Sequence, residues 1–390
     1  MERNLRFDEY VDRRNTKSLK YDFAAERGAT KEALPMWVAD MDFKTSSYVI
    51  DALKQTAEHG IFGYSERDNS FTEALVDWEK RRHGYDIKPE WIINTPGIVF
   101  ALATAVKAFT KEGDAVIIQQ PVYYPFSEVI VDNDRRLISS DLVLNEETHS
   151  YEIDFADFEK KVKEEKVKLF FLCNPHNPTG RVWTKEELIK LGDICVENGV
   201  IIVSDEIHRD FVFEGKHIEF TTLKKEYEWQ TIVCTSPSKT FNLAGLQISN
   251  IYIPNPVLRK KVKYQIAASG YSQVGVMGLV ACEAAYRNGD EWLEGVLKYL
   301  KENREYLEKR ITGEFPKIKL IRQEGTYLSW LDFREYGQSG AELKKRLLTE
   351  AGLWFDGGEM FGKTGDGFER VNIACPRKTL EEALNRLKRL

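Results

Sequence analysis

The sequence predicts an α/β protein with a mostly parallel central sheet, helices on both faces, and a smaller α+β unit. Three observations lead there. Short runs rich in Val, Ile and Phe, apolar on both faces, recur between residues 115 and 253, as strands covered by helices on both sides must be. Helical patterns separate them, and strand–helix alternation builds a parallel sheet. After residue 285 or so the pattern changes to amphipathic helices around one alternating segment, which marks a differently built unit.

Taken in order, the strand candidates are residues 115–118, 169–172, 200–203, 231–235 and 248–253. Residues 98–110 form an Ala-rich helical stretch closed by Gly113. Residues 184–198 open with Thr184-Lys185-Glu186-Glu187, a capping box in which Glu187 reaches back to the cap. That stretch stops at Gly199. Leu293, Val296, Leu297, Leu300, Leu307 and Ile311 trace one face of a long helix. Residues 326–332 alternate like a strand, and 340–351 read as a further helix. The first 45 residues carry aromatics without clear periodicity, which fits an arm packed on something else. The expected division is a large domain over 46–287 and a small domain made from 1–45 and 288–390.

Bulk properties exclude several function classes. A net charge of −6, from 56 basic and 62 acidic residues, argues against nonspecific nucleic-acid binding. No apolar run approaches a membrane span, and no signal peptide is expected at the charged N-terminus. Five scattered cysteines (Cys173, Cys195, Cys234, Cys282, Cys375) fit reduced thiols of a cytoplasmic protein. The six histidines show no metal-ligand spacing with them.

The chemistry is concentrated in a few segments. Ser236-Pro237-Ser238-Lys239 follows strand 231–235. A lysine there can form a Schiff base with an aldehyde, and its serine neighbours can bond phosphate, a pairing that describes pyridoxal 5′-phosphate (PLP). Asn174-Pro175-His176-Asn177-Pro178-Thr179-Gly180 follows strand 169–172 as a loop fixed by two prolines and a glycine. Ser204-Asp205-Glu206-Ile207-His208 follows strand 200–203, and an acid there needs a partner such as a protonated ring nitrogen. Thr95-Pro96-Gly97-Ile98-Val99 leads into a helix whose free N–H groups suit a phosphate. In a parallel sheet all of these lie at the ligand-binding edge. Tyr123 and Tyr124 offer aromatic faces, and Arg370, in Arg370-Val371-Asn372-Ile373-Ala374, could hold a carboxylate at two points.

This ordered set resembles the class I/II PLP-dependent aminotransferase superfamily, of fold type I, over nearly the whole chain. Leu34-Pro35-Met36-Trp37-Val38-Ala39-Asp40-Met41-Asp42-Phe43, Asp205-Glu206-Ile207-His208 and Lys239-Thr240-Phe241-Asn242 resemble its MalY/PatB-type cystathionine β-lyases, a branch that includes cystalysin. The resemblance implies a C–S β-lyase that converts L-cystathionine or L-cysteine to pyruvate, ammonia and a thiol. It implies that Lys239 carries PLP and then serves as the base at Cα. Asp205 then pairs with the pyridine nitrogen, Asn177 and His208 line the ring, and Tyr123 stacks on it. Ser236, Ser238, Ile98 and Val99 hold the phosphate, together with Tyr64 of a second subunit in a homodimer. Arg370, Val38 and Asn177 contact the substrate, and Tyr123 or Tyr124 assists the leaving thiol. Gln247 stands where many aminotransferases have a phosphate-binding arginine, and His208 where many have tyrosine; both departures agree with the lyase branch. The alternatives are an aminotransferase, and a regulatory protein that uses this fold to bind a transcription factor.

Overall fold

The computed structural model describes all 390 residues. Its centre is a seven-stranded sheet: β1 (Ile92–Thr95), β2 (Ala115–Ile118), β3 (Arg136–Ser139), β4 (Leu169–Cys173), β5 (Ile201–Asp205), β6 (Thr231–Thr235) and β7 (Ser249–Tyr252). The spatial order is β1-β7-β6-β5-β4-β2-β3. Neighbours from β6 to β3 pair in parallel.

Alternate strand residues supply two separate cores. Ile117, Phe170, Leu172 and Ile202 face one side; Val116, Ile118, Leu169, Phe171 and Val203 face the other. Each side is covered by a helix expected from the sequence. One is α2 (Ile98–Phe109), which contributes Leu102, Ala105 and Val106. The other is α3 (Lys185–Glu197), which contributes Leu188, Leu191 and Cys195. They follow α1 (Ser47–His59). The Thr184–Glu187 capping box forms as the spacing requires.

Two features differ from expectation. Strand β7, the core of the 248–253 run, is antiparallel to both neighbours. Only a four-residue helix, α4 (Pro237–Thr240), and a short 3₁₀ turn separate it from β6, which reverses the chain without a crossover helix. Strands β1 and β3 did not stand out because both are four-residue strands at the edges of the sheet, β1 ending in Asn94 and Thr95 and the partly exposed β3 opening with Arg136.

The second unit is built around α5 (Asp290–Glu314) and an antiparallel sheet of order β8-β9-β11-β10. Its strands are β8 (Lys319–Leu320), β9 (Leu328–Asp332), β10 (Asp356–Gly357) and β11 (Phe368–Asn372). Leu293, Val296, Leu300, Leu307 and Ile311 of α5 pack with Leu328 and Leu331. The 340–351 stretch is an α-helical segment, α6 (Gly340–Arg346), continued by one wider turn, and α7 (Arg377–Leu387) closes the chain.

The N-terminal arm packs here. Phe7 meets Phe43 and Trp292 edge-on, and Leu34 and Pro35 pair with Leu353 and Trp354. All five cysteines are buried and unbridged. No helix is long and apolar enough to cross a membrane.

Candidate active site

Strand register brings the chemical segments to one edge of the sheet. Cys173 lies opposite Asp205, and Asp205 opposite Cys234. The Asn174–Gly180 loop, Asp205 and the Ser236–Lys239 turn therefore leave the sheet side by side. Thr95 lies opposite Ser249, and the Ser236 hydroxyl donates to the Ile248 carbonyl at 2.7 Å. These two contacts bring the start of α2 to the same corner.

Lys239 is held by a backbone oxygen from far away in the chain: its Nζ donates to the Ala39 carbonyl at 2.6 Å. Tyr327 donates to the same oxygen at 3.0 Å. Burial pushes the Lys239 ammonium down to about 8; Asp40 and Asp205 oppose the fall and Arg370 adds to it. A lysine so poised gives up its proton far more readily than an exposed one. It faces a cavity of about 510 Å³ whose walls include Val38, Asp40, Asn242 and Gly245.

Arg370, in the middle of β11, is 2 % exposed. Its guanidinium donates to Asn177 Oδ1 (3.1 Å), the Trp37 carbonyl (2.9 Å) and Asp356 Oδ2. Its Nε has no partner. Three fixed contacts orient the planar fork, which suits two-point capture of a carboxylate. Tyr123 and Tyr124 lie with ring centroids 5.3 Å apart. Burial raises both phenols, so both keep their protons.

Several buried polar groups lack partners in a way that matches PLP. Asp205 is buried, and its carboxylate accepts only the Ile207 N–H, at 3.2 Å. Burial lifts it to about 7, while Lys239 draws it down. A cationic ring nitrogen would satisfy it. The start of α2 has Gly97 at its cap and so no side chain over its first N–H groups, those of Ile98 and Val99, which leaves them open to a phosphate. The Ser236 hydroxyl is engaged as the cap of α4 and with Ile248, so the Ser238 hydroxyl is the freer donor. His208 is buried with Nδ1 unpartnered. Burial, then Lys239 and Arg370, hold it neutral. The residues present therefore fit the cofactor.

Tyr64 is not brought to Lys239 within one chain. It is 99 % exposed and borders a separate surface cavity of about 830 Å³ with Arg67 and Tyr271. Gln247 is an exposed cap residue with φ 51°.

Sequence reasoning missed Asp356, Tyr327 and the peptide oxygens of Trp37 and Ala39 as site components. It also missed a buried ionic network behind Asp205. There Arg209 bridges Glu79 and Glu219 (2.8 Å to the latter), and His217 sits 3.0 Å from Glu206. Glu206, His217 and Glu219 bring their ligand-type atoms within 4.8 Å of one another. Burial opposes charge on His217, but the two carboxylates outweigh it and raise it to about 9, which makes the group an ion-pair network.

Asp205 supplies a prediction that needs no turnover. Its carboxyl is raised from an ordinary value of 3.8 to about 7. The folded, cofactor-free protein binds this proton more tightly than the unfolded chain does, so the site costs nothing below pH 4. It destabilises progressively as pH rises to 7, where the charged form must be buried. Cofactor-free Asp205→Asn is therefore expected to gain thermal stability over wild type at pH 8 and not at pH 4. Equal differences at both pH values would show that Asp205 is not held as a strained carboxylate.

Comparison with known proteins agrees with this geometry. The sequence profile of the family described as aminotransferase class I and II matches residues 34–387. The chain is 42% identical over 385 residues to cystathionine beta-lyase PatB of Bacillus subtilis, covering 98% of this chain and 99% of that protein. The structure superposes on cystalysin from Treponema denticola, which contains a pyridoxal 5′-phosphate cofactor, with a TM-score of 0.94 and 38% identity over 98% of this chain and 97% of that one. It also superposes on the PLP-bound C–S lyase from Staphylococcus hominis, with a TM-score of 0.90, 36% identity and the same coverage of both chains. The chain belongs to the class I and II aminotransferase family of fold type I, PLP-dependent enzymes.

Proposed function

We propose that the protein is a PLP-dependent carbon–sulfur β-lyase acting on L-cystathionine, L-cysteine or a related thioether amino acid. The observation that carries this is the joint presence of a poised Lys239, a carboxylate clamp at Arg370 and unspent acceptors and donors for PLP. The lyase identity of the relatives supports the choice of reaction. PLP, linked through Lys239, supplies the electron sink that makes the substrate Cα–H acidic.

The chain's own residues do the rest. Arg370 fixes the substrate α-carboxylate, and Val38 and Asn177 border it. Lys239, freed when substrate takes its place, removes the Cα proton. Asp205 keeps the ring nitrogen protonated. The Cβ–S bond then breaks with its electron pair on sulfur, and Tyr123 or Tyr124, each still protonated, gives the thiolate its proton. For cystathionine the balance is one water consumed, with homocysteine, pyruvate and ammonia released.

The domain division at 46–287, with 1–45 and 288–390 as the second unit, is part of this proposal, as is a homodimer in which an exposed Tyr64 completes the partner's phosphate site. A cytoplasmic location is supported by five unbridged thiols.

The test is purified protein with L-cystathionine and no 2-oxoacid. Pyruvate and thiol are expected to accumulate well beyond one equivalent per chain. Release that stops at one equivalent and resumes only when a 2-oxoacid is added would falsify the lyase reading in favour of transamination.

A further inference from the structure

The segment from Trp37 to Phe43 serves as a scaffold through its backbone. The Trp37 carbonyl takes Arg370, the Ala39 carbonyl takes Lys239 and Tyr327, and the carbonyls of Val38 and Asp40 take Asn372 Nδ2 (2.6 and 2.5 Å). Asn242, three residues after Lys239, bonds both the N–H (3.0 Å) and the carbonyl (2.9 Å) of Met41. The groups proposed to hold substrate and cofactor thus both hang on one stretch of seven residues that belongs to neither sheet.

What fixes that stretch from outside is the earlier part of the N-terminal arm. Arg13 grips Asp40 at two points, Nη1 to Oδ1 at 3.1 Å and Nη2 to Oδ2 at 2.5 Å, and reaches Asp42 Oδ1 at 2.8 Å. Lys20, 1 % exposed, reaches Asp42 Oδ2 at 2.8 Å. The four charges balance, two of each sign, and Lys20, Arg13 and Asp42 are largely removed from water. Ion pairs in such a setting hold geometry far better than exposed ones. Arg13, Ser18 and Leu19 also line the cavity that Lys239 faces.

We propose that Arg13 and Lys20 are positioning residues for the reaction: by clasping Asp40 and Asp42 they hold the peptide oxygens of residues 37–40 where Lys239 and Arg370 need them. The proposal rests on the reading of Lys239 as the cofactor-linked base. Asp40 has a second effect, because its charge favours the proton on Lys239 and Arg13 offsets that charge. The other groups facing Lys239 are Asp205, Arg370, His208 and Tyr327, none of which touches Arg13.

The experiment compares Arg13→Met, Arg13→Lys and, as control, Arg14→Met at the exposed neighbouring position. Arg13→Met is expected to lower kcat/KM for L-cystathionine by about 10²-fold, the scale set by a misplacement of reacting groups near 1 Å. Arg13→Lys, which keeps the charge on Asp40, is expected to recover a large part of it, and Arg14→Met to match wild type. Two readouts are independent of turnover. In cofactor-free protein, tryptic cleavage at exposed Lys17 should accelerate in Arg13→Met. In loaded protein, the absorbance titration of the Lys239–cofactor link should move to higher pH, because Asp40 is no longer neutralised. Faster cleavage with an unmoved titration and unchanged kcat/KM would overturn the proposal and leave the clasp as a fastening of the arm alone. A kinetic loss not recovered at all by Arg13→Lys would overturn it too. A wild-type protein without a lysine-linked absorbance would instead sink the reading of Lys239, which the tryptic result does not depend on.

Discussion

Lys239→Ala is expected to reduce turnover of L-cystathionine by about 10⁴-fold, the upper range for loss of a general base. The chain offers no substitute amine. Lys239 borders the cavity at the sheet edge, and burial pushes its ammonium down to about 8. Of the other lysines that border this cavity, Lys44 is spent on Glu9 at 2.6 Å and Lys17 is exposed. The variant should still fold. Lys239 lies in a four-residue helix already fixed by its Ser236 cap and by Thr240, whose hydroxyl bonds Asp210 Oδ2 at 2.6 Å. The checks are single-turnover kinetics, borohydride labelling followed by peptide mapping, and cofactor absorbance. Wild type should carry the label on the peptide containing Lys239 and the variant should carry none. A variant that keeps more than a tenth of wild-type turnover, or a label on another lysine, removes Lys239 from the mechanism.

Much of this site was legible because its chemistry sits in short contiguous motifs. Lys239, Asp205 and Asn177 each stand within a few residues of a strand end, in segments whose Pro, Gly or Ser residues already limit the backbone, and Arg370 stands on a strand of its own short motif. The two-sided apolar strands and the Thr184 capping box were legible for the same reason: they are local. The remainder is not local. Ala39 is 200 residues from Lys239, and it acts through its carbonyl, which no side-chain pattern reveals. Asp356 reads as a loop acid until β10 sets it opposite Arg370. The clasp of Arg13 on Asp40 and Asp42 depends on how an arm with little periodicity crosses the small unit. The direction of β7 was hidden too, since an apolar strand buried on both faces looks alike in either orientation and only the tight reversal after Lys239 decides it.

Arg370→Lys is expected to raise KM for L-cystathionine by about 10²-fold, or about 2.7 kcal/mol, within the range for one or two hydrogen bonds to a charged group. The charge is kept and the planar fork is lost. The guanidinium now spans three acceptors at once, Asn177 Oδ1, the Trp37 carbonyl and Asp356 Oδ2, and its plane lies over the Phe361 ring, 4.8 Å from the centroid. An ammonium is a point donor on a flexible stem. It can satisfy Asp356, the strongest of the three attractions, only by turning away from the others. Asp356 is buried, and burial pushes its carboxyl up while Arg370 opposes this. A lysine drawn to it is thereby drawn off the substrate carboxylate. The effect should fall on substrate affinity, with the Lys239–cofactor absorbance near normal, because the positive charge that Lys239 feels from this position is kept and Arg370 bonds neither Asp205 nor α4. The double variant Arg370→Lys with Asp356→Asn separates the two causes. If Asp356 captures the new ammonium, removing its charge should return part of the lost affinity. If the fork alone matters, KM should stay raised. An Arg370→Lys enzyme with unchanged KM would mean that the substrate carboxylate is bound elsewhere.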